Sequence, residues 1–210
     1  MQKRNVGRPR GGDPVETRRG ILSAAEECFA AAGFVGATTR QVAARAGVNV
    51  ATLHYHFGSK EKLYRAVLDA ATRQDVPFLA SGETPEERLS SAVDTLWDFG
   101  AAHPTLPRLS LLHRLAGPAP AAGAFETPED PRAGFLLRTL TQAGVKTPFP
   151  PAETARVILA LLDSTLVAAQ NGYSSEAASP AALADASRAG VVAAALRVAG
   201  LAQPADRRAV

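Results

Sequence analysis

The stretch from Asn49 to His56 gathers side chains that could read a nucleic acid. Asn49, Val50, Thr52, His54, Tyr55 and His56 are mostly short or planar polar groups, suited to base edges and phosphates in a major groove. Upstream, the run Gly7-Arg8-Pro9-Arg10 places two arginines on a proline-stiffened segment. Extended in this way, Arg8 and Arg10 either enter a narrow minor groove or act only through general attraction to phosphate. His54 and His56 also invite a metal reading. Two residues apart on a helix, however, they point in different directions. No cysteine or carboxylate cluster joins them to complete the four ligands of a structural site, so no metal is expected. No Ser/His/acid arrangement and no phosphate-cradling glycine loop is legible, so neither catalytic residues nor a cofactor are expected.

The elements that must position these groups are short helices. Thr38, three residues ahead of Gln41, forms a capping box that opens a helix over Thr39–Ala46. Gly47-Val48 makes a tight turn, where glycine takes positive φ without steric cost. Asn49 then caps a second helix reaching Phe57. Val42, Ala43, Ala46, Val48 and Leu53 are spaced to pack the pair together as a helix-turn-helix. A longer helix from about Val15 to Ala32 precedes them, with an apolar stripe at Ile21, Ala25, Cys28 and Ala32 and Gly33 as its stop. A fourth helix follows from the Ser59 cap, with Leu63, Val67 and Ala70 on one face, and ends before Pro77.

At this point the sequence resembles a known family. The stretch TTRQVAARAGVNVATLHYHFGSKEKLYRAVL, residues 38–68, is similar to the DNA-binding domain of the tetracycline-repressor (TetR) family. The resemblance covers about residues 15–75. It implies that Thr39 and Arg40 hold the phosphate backbone and that Asn49, Val50, Ala51 and Thr52 face the groove. It also implies that Tyr55 and His56 touch phosphates or base edges. Lys60, at the start of the fourth helix, would pair with a phosphate, as its charge and the helix dipole both favour. The family usually has Tyr where this chain has His54, which leaves base preference open. The Arg8–Arg10 run resembles the core of an AT-hook. The family further implies a ligand-responsive regulator, most often a repressor, acting as a homodimer on a near-palindromic double-stranded operator. The two recognition helices would then enter successive major grooves about 34–36 Å apart.

Charge agrees with a polyanion at one end. Residues 1–65 carry eleven Lys/Arg against five acids, and the remainder carries twelve against fifteen. A basic front on an acidic body is also compatible with a non-specific architectural DNA binder. The expected organisation is a basic arm over 1–14, a helix-turn-helix domain over 15–75 and a body over 76–210. The fold class is all-α with about nine helices and no convincing strand.

In the body, Thr84-Pro85-Glu86-Glu87 opens a helix carrying Leu89, Val93, Leu96 and Trp97 to Gly100. Pro104 and Pro107 are expected to break the chain before a short helix over Leu109–Leu115, and residues 116–131 read as a loop. Further helices are expected over Arg132–Ala143, Ala152–Gln170 and from Ser179-Pro180 to Gly200. The segment 152–170 is apolar on two sides, Val157, Leu161, Thr165 and Ala168 against Ile158, Leu162, Leu166 and Ala169, and so needs two partners. With the alanine-rich segment 180–199 it is expected to form a four-helix dimer interface. Trp97, His103, Arg108, His113, Phe135 and Arg138 are the candidates to line a pocket for a small-molecule effector. Cys28, the single cysteine, is expected in the core, without a disulfide. No apolar run follows the basic N-terminus and none is long enough to span a bilayer, so a soluble cytoplasmic protein with no membrane partner is expected.

Overall fold

The computed structural model describes residues 13–72, 79–116, 130–171 and 180–201. Among them are nine α-helices and no strand: α1 Pro14–Gly36, α2 Thr39–Arg45, α3 Val50–Phe57, α4 Lys60–Thr72, α5 Pro85–Ala102, α6 Thr105–Ala116, α7 Pro131–Gln142, α8 Pro151–Gln170 and α9 Pro180–Val198. The all-α expectation therefore holds. The chain divides into two compact units, Met1–Val67 and Leu68–Val210, with the division falling inside α4. The basic arm up to residue 12, with Arg8 and Arg10, lies outside the described residues, as do 117–129 of the expected loop and the Ser179 cap.

The first unit is built on α1. Asp13, whose carboxylate accepts from the Val15 N–H at 2.9 Å, caps it. Helical geometry breaks at Gly33, where φ is 68°, and a last turn carries the helix to Gly36. Its buried residues are Ile21, Ala24, Ala25, Phe29 and Ala30. This corrects the expected stripe: Cys28 is half-buried and Ala32 exposed. Phe29, the larger apolar group, takes the inward position, because burying an aromatic removes far more surface from water than burying Cys or Ala. On α4 the inward residues are Leu63, Tyr64, Val67 and Ala71, whereas Ala70 faces out.

The second unit is a bundle in which α6, α7 and α9 lie against α8, and α5 lies against α7, α8 and α9. Its core gathers Leu89, Val93, Leu96 and Trp97 of α5, Leu136 and Leu140 of α7, and Ile158, Leu162 and Leu166 of α8. Helix α6 starts four residues before the expected Leu109. Pro107 falls in its first turn, where a missing N–H costs nothing because that group has no intrahelical acceptor.

Candidate nucleic-acid interface

Helices α2 and α3 form the expected helix-turn-helix. The Thr38 hydroxyl accepts from the Gln41 N–H at 3.2 Å and the Gln41 side chain accepts from the Thr38 N–H at 2.9 Å, completing the capping box. In the turn, Gly47 has φ 67°, the Gly47 N–H donates to the Ala44 carbonyl at 3.2 Å, and the Val48 N–H donates to Ala43 at 2.9 Å. These two bonds satisfy the last carbonyls of α2 and reverse the chain. Val42, Ala43 and Leu53 are buried between the helices, with Ala46 and Val48 half-buried.

Leu53 and Phe57 anchor one side of α3 in the domain, which turns the other side out. Asn49, Ala51, His54 and Tyr55 are exposed, while Val50, Thr52 and His56 are half-buried. Tyr55 is 85% exposed, so its ring lies open on the outward side of α3. Its ring meets that of His56 edge-on at 5.3 Å. Asn49 caps α3, its Oδ1 accepting from the Thr52 N–H at 2.7 Å and lying 3.0 Å from the Thr52 hydroxyl. The His54 Nδ1 is 2.7 Å from the Gly58 carbonyl. A carbonyl only accepts, so Nδ1 is the donor in this bond and Nε2 is the nitrogen left to a partner.

The flanking cations are also held in place. The Lys60 ammonium sits 4.7 Å over the Phe34 ring and 3.4 Å from the Val35 carbonyl, a cation–π contact and a hydrogen bond that aim it from the start of α4. Arg18 lies 4.9 Å from the Phe57 ring centroid, and Arg45 pairs with Glu27 to tie α2 to α1. Arg40 is exposed and Thr39 half-buried at the start of α2. Sequence reasoning missed Phe34 and Arg18. The only signal for Phe34 was a large apolar residue directly after the Gly33 stop.

A family model described as "Bacterial regulatory proteins, tetR family" matches residues 21–67. Residues 21–67 are a tetR-family domain. This tetR-family domain contains α2, α3 and the Lys60 end of α4. Among curated proteins, the chain is 33% identical over 108 residues to the HTH-type transcriptional repressor NicS of Pseudomonas putida, covering 50% of each chain. It is 36% identical over 113 residues to the HTH-type transcriptional activator FasR of Mycolicibacterium smegmatis, covering 47% of this chain and 50% of that one. The chain thus spans about half the length of the curated relatives it matches. Among solved structures, a TetR-like transcriptional regulator from Rhodococcus superposes with a TM-score of 0.56 at 20% identity, covering 91% of this chain and 99% of that one. That likeness extends the fold beyond the tetR-family domain.

In the second unit the six candidate effector residues are not gathered in one place. Trp97 and Phe135 are buried in the core. The His103 ring is 2.8 Å from the Phe99 carbonyl and packs on the Phe99 ring at 4.4 Å. Arg108 donates to Asn171 at 2.7 Å. Arg138 and the edge of Phe135 border a cavity of about 370 Å³ with Arg88 and Gln142. His113 alone borders a second cavity, of about 330 Å³, with Leu106, Leu109, Leu137, Leu159 and Arg114 among its walls. Burial, with the nearby Arg114 charge, holds the His113 imidazole below its ordinary range, so the ring is neutral at pH 7.

Beside this cavity lies an ion network that sequence reasoning did not find. Arg132 is only 1% exposed and Asp163 fully buried. Arg132 Nη1 donates to Asp163 Oδ1 at 2.8 Å, while its Nε and Nη2 donate to Asp130 at 3.1 and 2.7 Å. Arg114 of α6 also pairs with Asp163. Burial alone disfavours the Arg132 charge, but the carboxylates of Asp163 and Asp130 outweigh it and push its proton affinity up. The legible trace was a lone charge, Asp163, directly after the apolar run Ile158–Leu162, which a satisfied buried charge explains.

Proposed function

We propose that the chain is a sequence-specific DNA-binding transcriptional regulator, a homodimer whose affinity for its operator responds to a small molecule held in the second unit. The observation that carries this reading is α3: two anchors inward, and an outward row of Asn49, Ala51, His54 and Tyr55 flanked by the aimed Lys60. In the complex, Thr39, Arg40 and Lys60 hold phosphates, and Asn49 to His56 lie in the major groove, with Arg8 and Arg10 drawn towards the minor groove alongside. On α8, Val157 is 43% exposed and Leu161, Thr165 and Ala168 are half-buried. This is the outward apolar side that a second copy would cover together with α9. A binding role rather than catalysis, and action in the cytoplasm where the DNA is, complete the proposal.

Repression is the first reading, in line with the similarity to NicS, a transcriptional repressor. The similarity to FasR, a transcriptional activator, supports the alternative sign. The position of the operator relative to a promoter decides between them. Selection of bound fragments from genomic DNA, followed by footprinting, tests the proposal. A near-palindromic site protected on two successive turns supports it. Equal affinity for selected and random fragments at physiological salt would reduce the protein to an architectural binder.

A further inference from the structure

We propose that the cavity beside the ion network binds a monocarboxylate with an apolar tail, and that Arg114 receives its carboxylate. The proposal rests on the reading of the second unit as an effector-binding body, and it names the effector's chemical class. The cavity walls are mostly leucine and alanine, with Leu106, Leu109, Leu137 and Leu159 among them. They suit an aliphatic body by removing apolar surface from water.

The polar part of the wall is Ser110, His113, Asp130 and two arginines, Arg114 and Arg156, so its cations outnumber its carboxylates. Asp130 faces the cavity, but both its oxygens already accept from Arg132. Asp163 is wholly buried, with one oxygen bonded to Arg132 Nη1 and the other shared by Arg132 Nη2 and Arg114. Arg114, by contrast, lines the cavity with its side chain 32% exposed. A guanidinium carries five N–H donors in a planar fork, and one of those on Arg114 reaches Asp163. A carboxylate entering the cavity can therefore take a bidentate grip on Arg114. Asp163 need not be stranded, because Arg132 holds both of its oxygens. An amine would meet two arginines, Arg114 and Arg156, against one carboxylate whose oxygens already accept from Arg132. An alcohol would accept one hydrogen bond from the guanidinium but would bring no opposite charge and no second oxygen for a bidentate grip.

The test is calorimetric titration of the full chain with octanoate, octanol and octylamine. Octanoate is expected to bind at least about tenfold more tightly than either analogue, the scale of one charge-assisted hydrogen bond. Arg114→Gln should lower octanoate affinity by about the same factor and leave octanol unchanged. A second variant guards against misfolding of the first. Gly134 lines the cavity within α7, and a Cβ there meets only the far end of Arg138, at 3.4 Å. Gly134→Leu, favourable for helix formation, should occlude the cavity and abolish octanoate binding. Octanol binding as tightly as octanoate, or octanoate affinity unchanged in both variants, would overturn the proposal. Operator binding by the ligand-free protein is read separately, so loss of the regulator reading is distinguishable from loss of the carboxylate site.

Discussion

Asn49 holds Thr52 from two directions, its Oδ1 lying 2.7 Å from the Thr52 N–H and 3.0 Å from the Thr52 hydroxyl. One side chain thus caps α3 and fixes the rotor of a residue proposed to face the groove. Thr52→Val keeps the shape and removes the hydroxyl. We expect operator affinity to fall by about 1–3 kcal/mol at particular base pairs, with little change in stability. Asn49→Ala should in addition cost about 1 kcal/mol of folding stability through loss of the cap. Parallel denaturation and gel-shift titrations on operator variants separate the two effects. Equal losses on operator and random DNA for Thr52→Val would make Thr52 a backbone contact.

Lys60 is expected to act on every DNA sequence alike. Its ammonium is held by the Phe34 ring and the Val35 carbonyl and has donors left for a phosphate oxygen. Lys60→Ala should weaken operator and non-specific binding together and lower the salt slope by ~1. Phe34→Leu should reproduce part of the loss by removing the ring that aims the ammonium. A salt slope identical to the parent's in Lys60→Ala would remove Lys60 from the interface.

Tyr64 makes the first unit sensitive to alkali. Its ring packs edge-on against Phe29 at 4.9 Å, and burial pushes the phenol from 10.0 up to about 12. Between those values the unfolded chain has lost the proton while the folded domain keeps it. The stabilising contribution is therefore complete below pH 10 and is lost as pH rises towards 12. Thermal melts across that range should show falling stability in the parent chain and a flatter profile in Tyr64→Phe. Matching profiles for the two proteins would show that Tyr64 does not drive the alkaline transition.

In the second unit the buried network predicts an asymmetric response. Asp163→Ala leaves Arg132 in the interior with Asp130 alone and should cost about 3–5 kcal/mol. Replacing the pair together, Arg132→Met with Asp163→Leu, should recover most of that loss, since an apolar pair does not have to be desolvated. Denaturant midpoints of the full chain measure both. A single-variant loss below about 1 kcal/mol, typical of exposed ion pairs, would mean that water reaches the network.

How far the sequence foretold this molecule depends on the range of the interaction involved. The capping residues Thr38, Asn49, Ser59 and Thr84 act within three or four positions and were legible. So were the Gly47 turn and the inward Leu53. Which of Cys28 and Phe29 faces inward depends on α4 and its Tyr64, far along the chain, and a stripe counted on one helix could not settle it. The Arg132–Asp163 pair spans 31 positions and two helices, so the sequence showed only an isolated Asp at the end of an apolar run. The effector candidates failed to converge for the same reason. Aromatic and basic side chains were selected by type, but which of them share a cavity is set by helix packing.

The outward side of α8 supplies the last prediction. Ile158, Leu162 and Leu166 are buried within the chain, so one apolar side of α8 is already used. Val157, Leu161, Thr165 and Ala168 repeat at helical spacing on the other, and Val157 is 43% exposed. The alanine and glycine positions of α9, Ala186, Ala189, Gly190 and Ala193, are likewise exposed and would admit close approach of a second copy. Leu161→Arg places a charge where the proposed dimer would bury it, and a buried unpaired charge neither pairs nor desolvates cheaply. Light scattering at micromolar concentration should show a dimer for the parent chain and a monomer for Leu161→Arg, with unchanged circular dichroism. Loss of the dimer should also lower operator affinity steeply while sparing single half-site binding, because two linked recognition helices raise each other's effective concentration. A parent chain that is monomeric under these conditions would end the dimer proposal and, with it, the expectation of a palindromic operator.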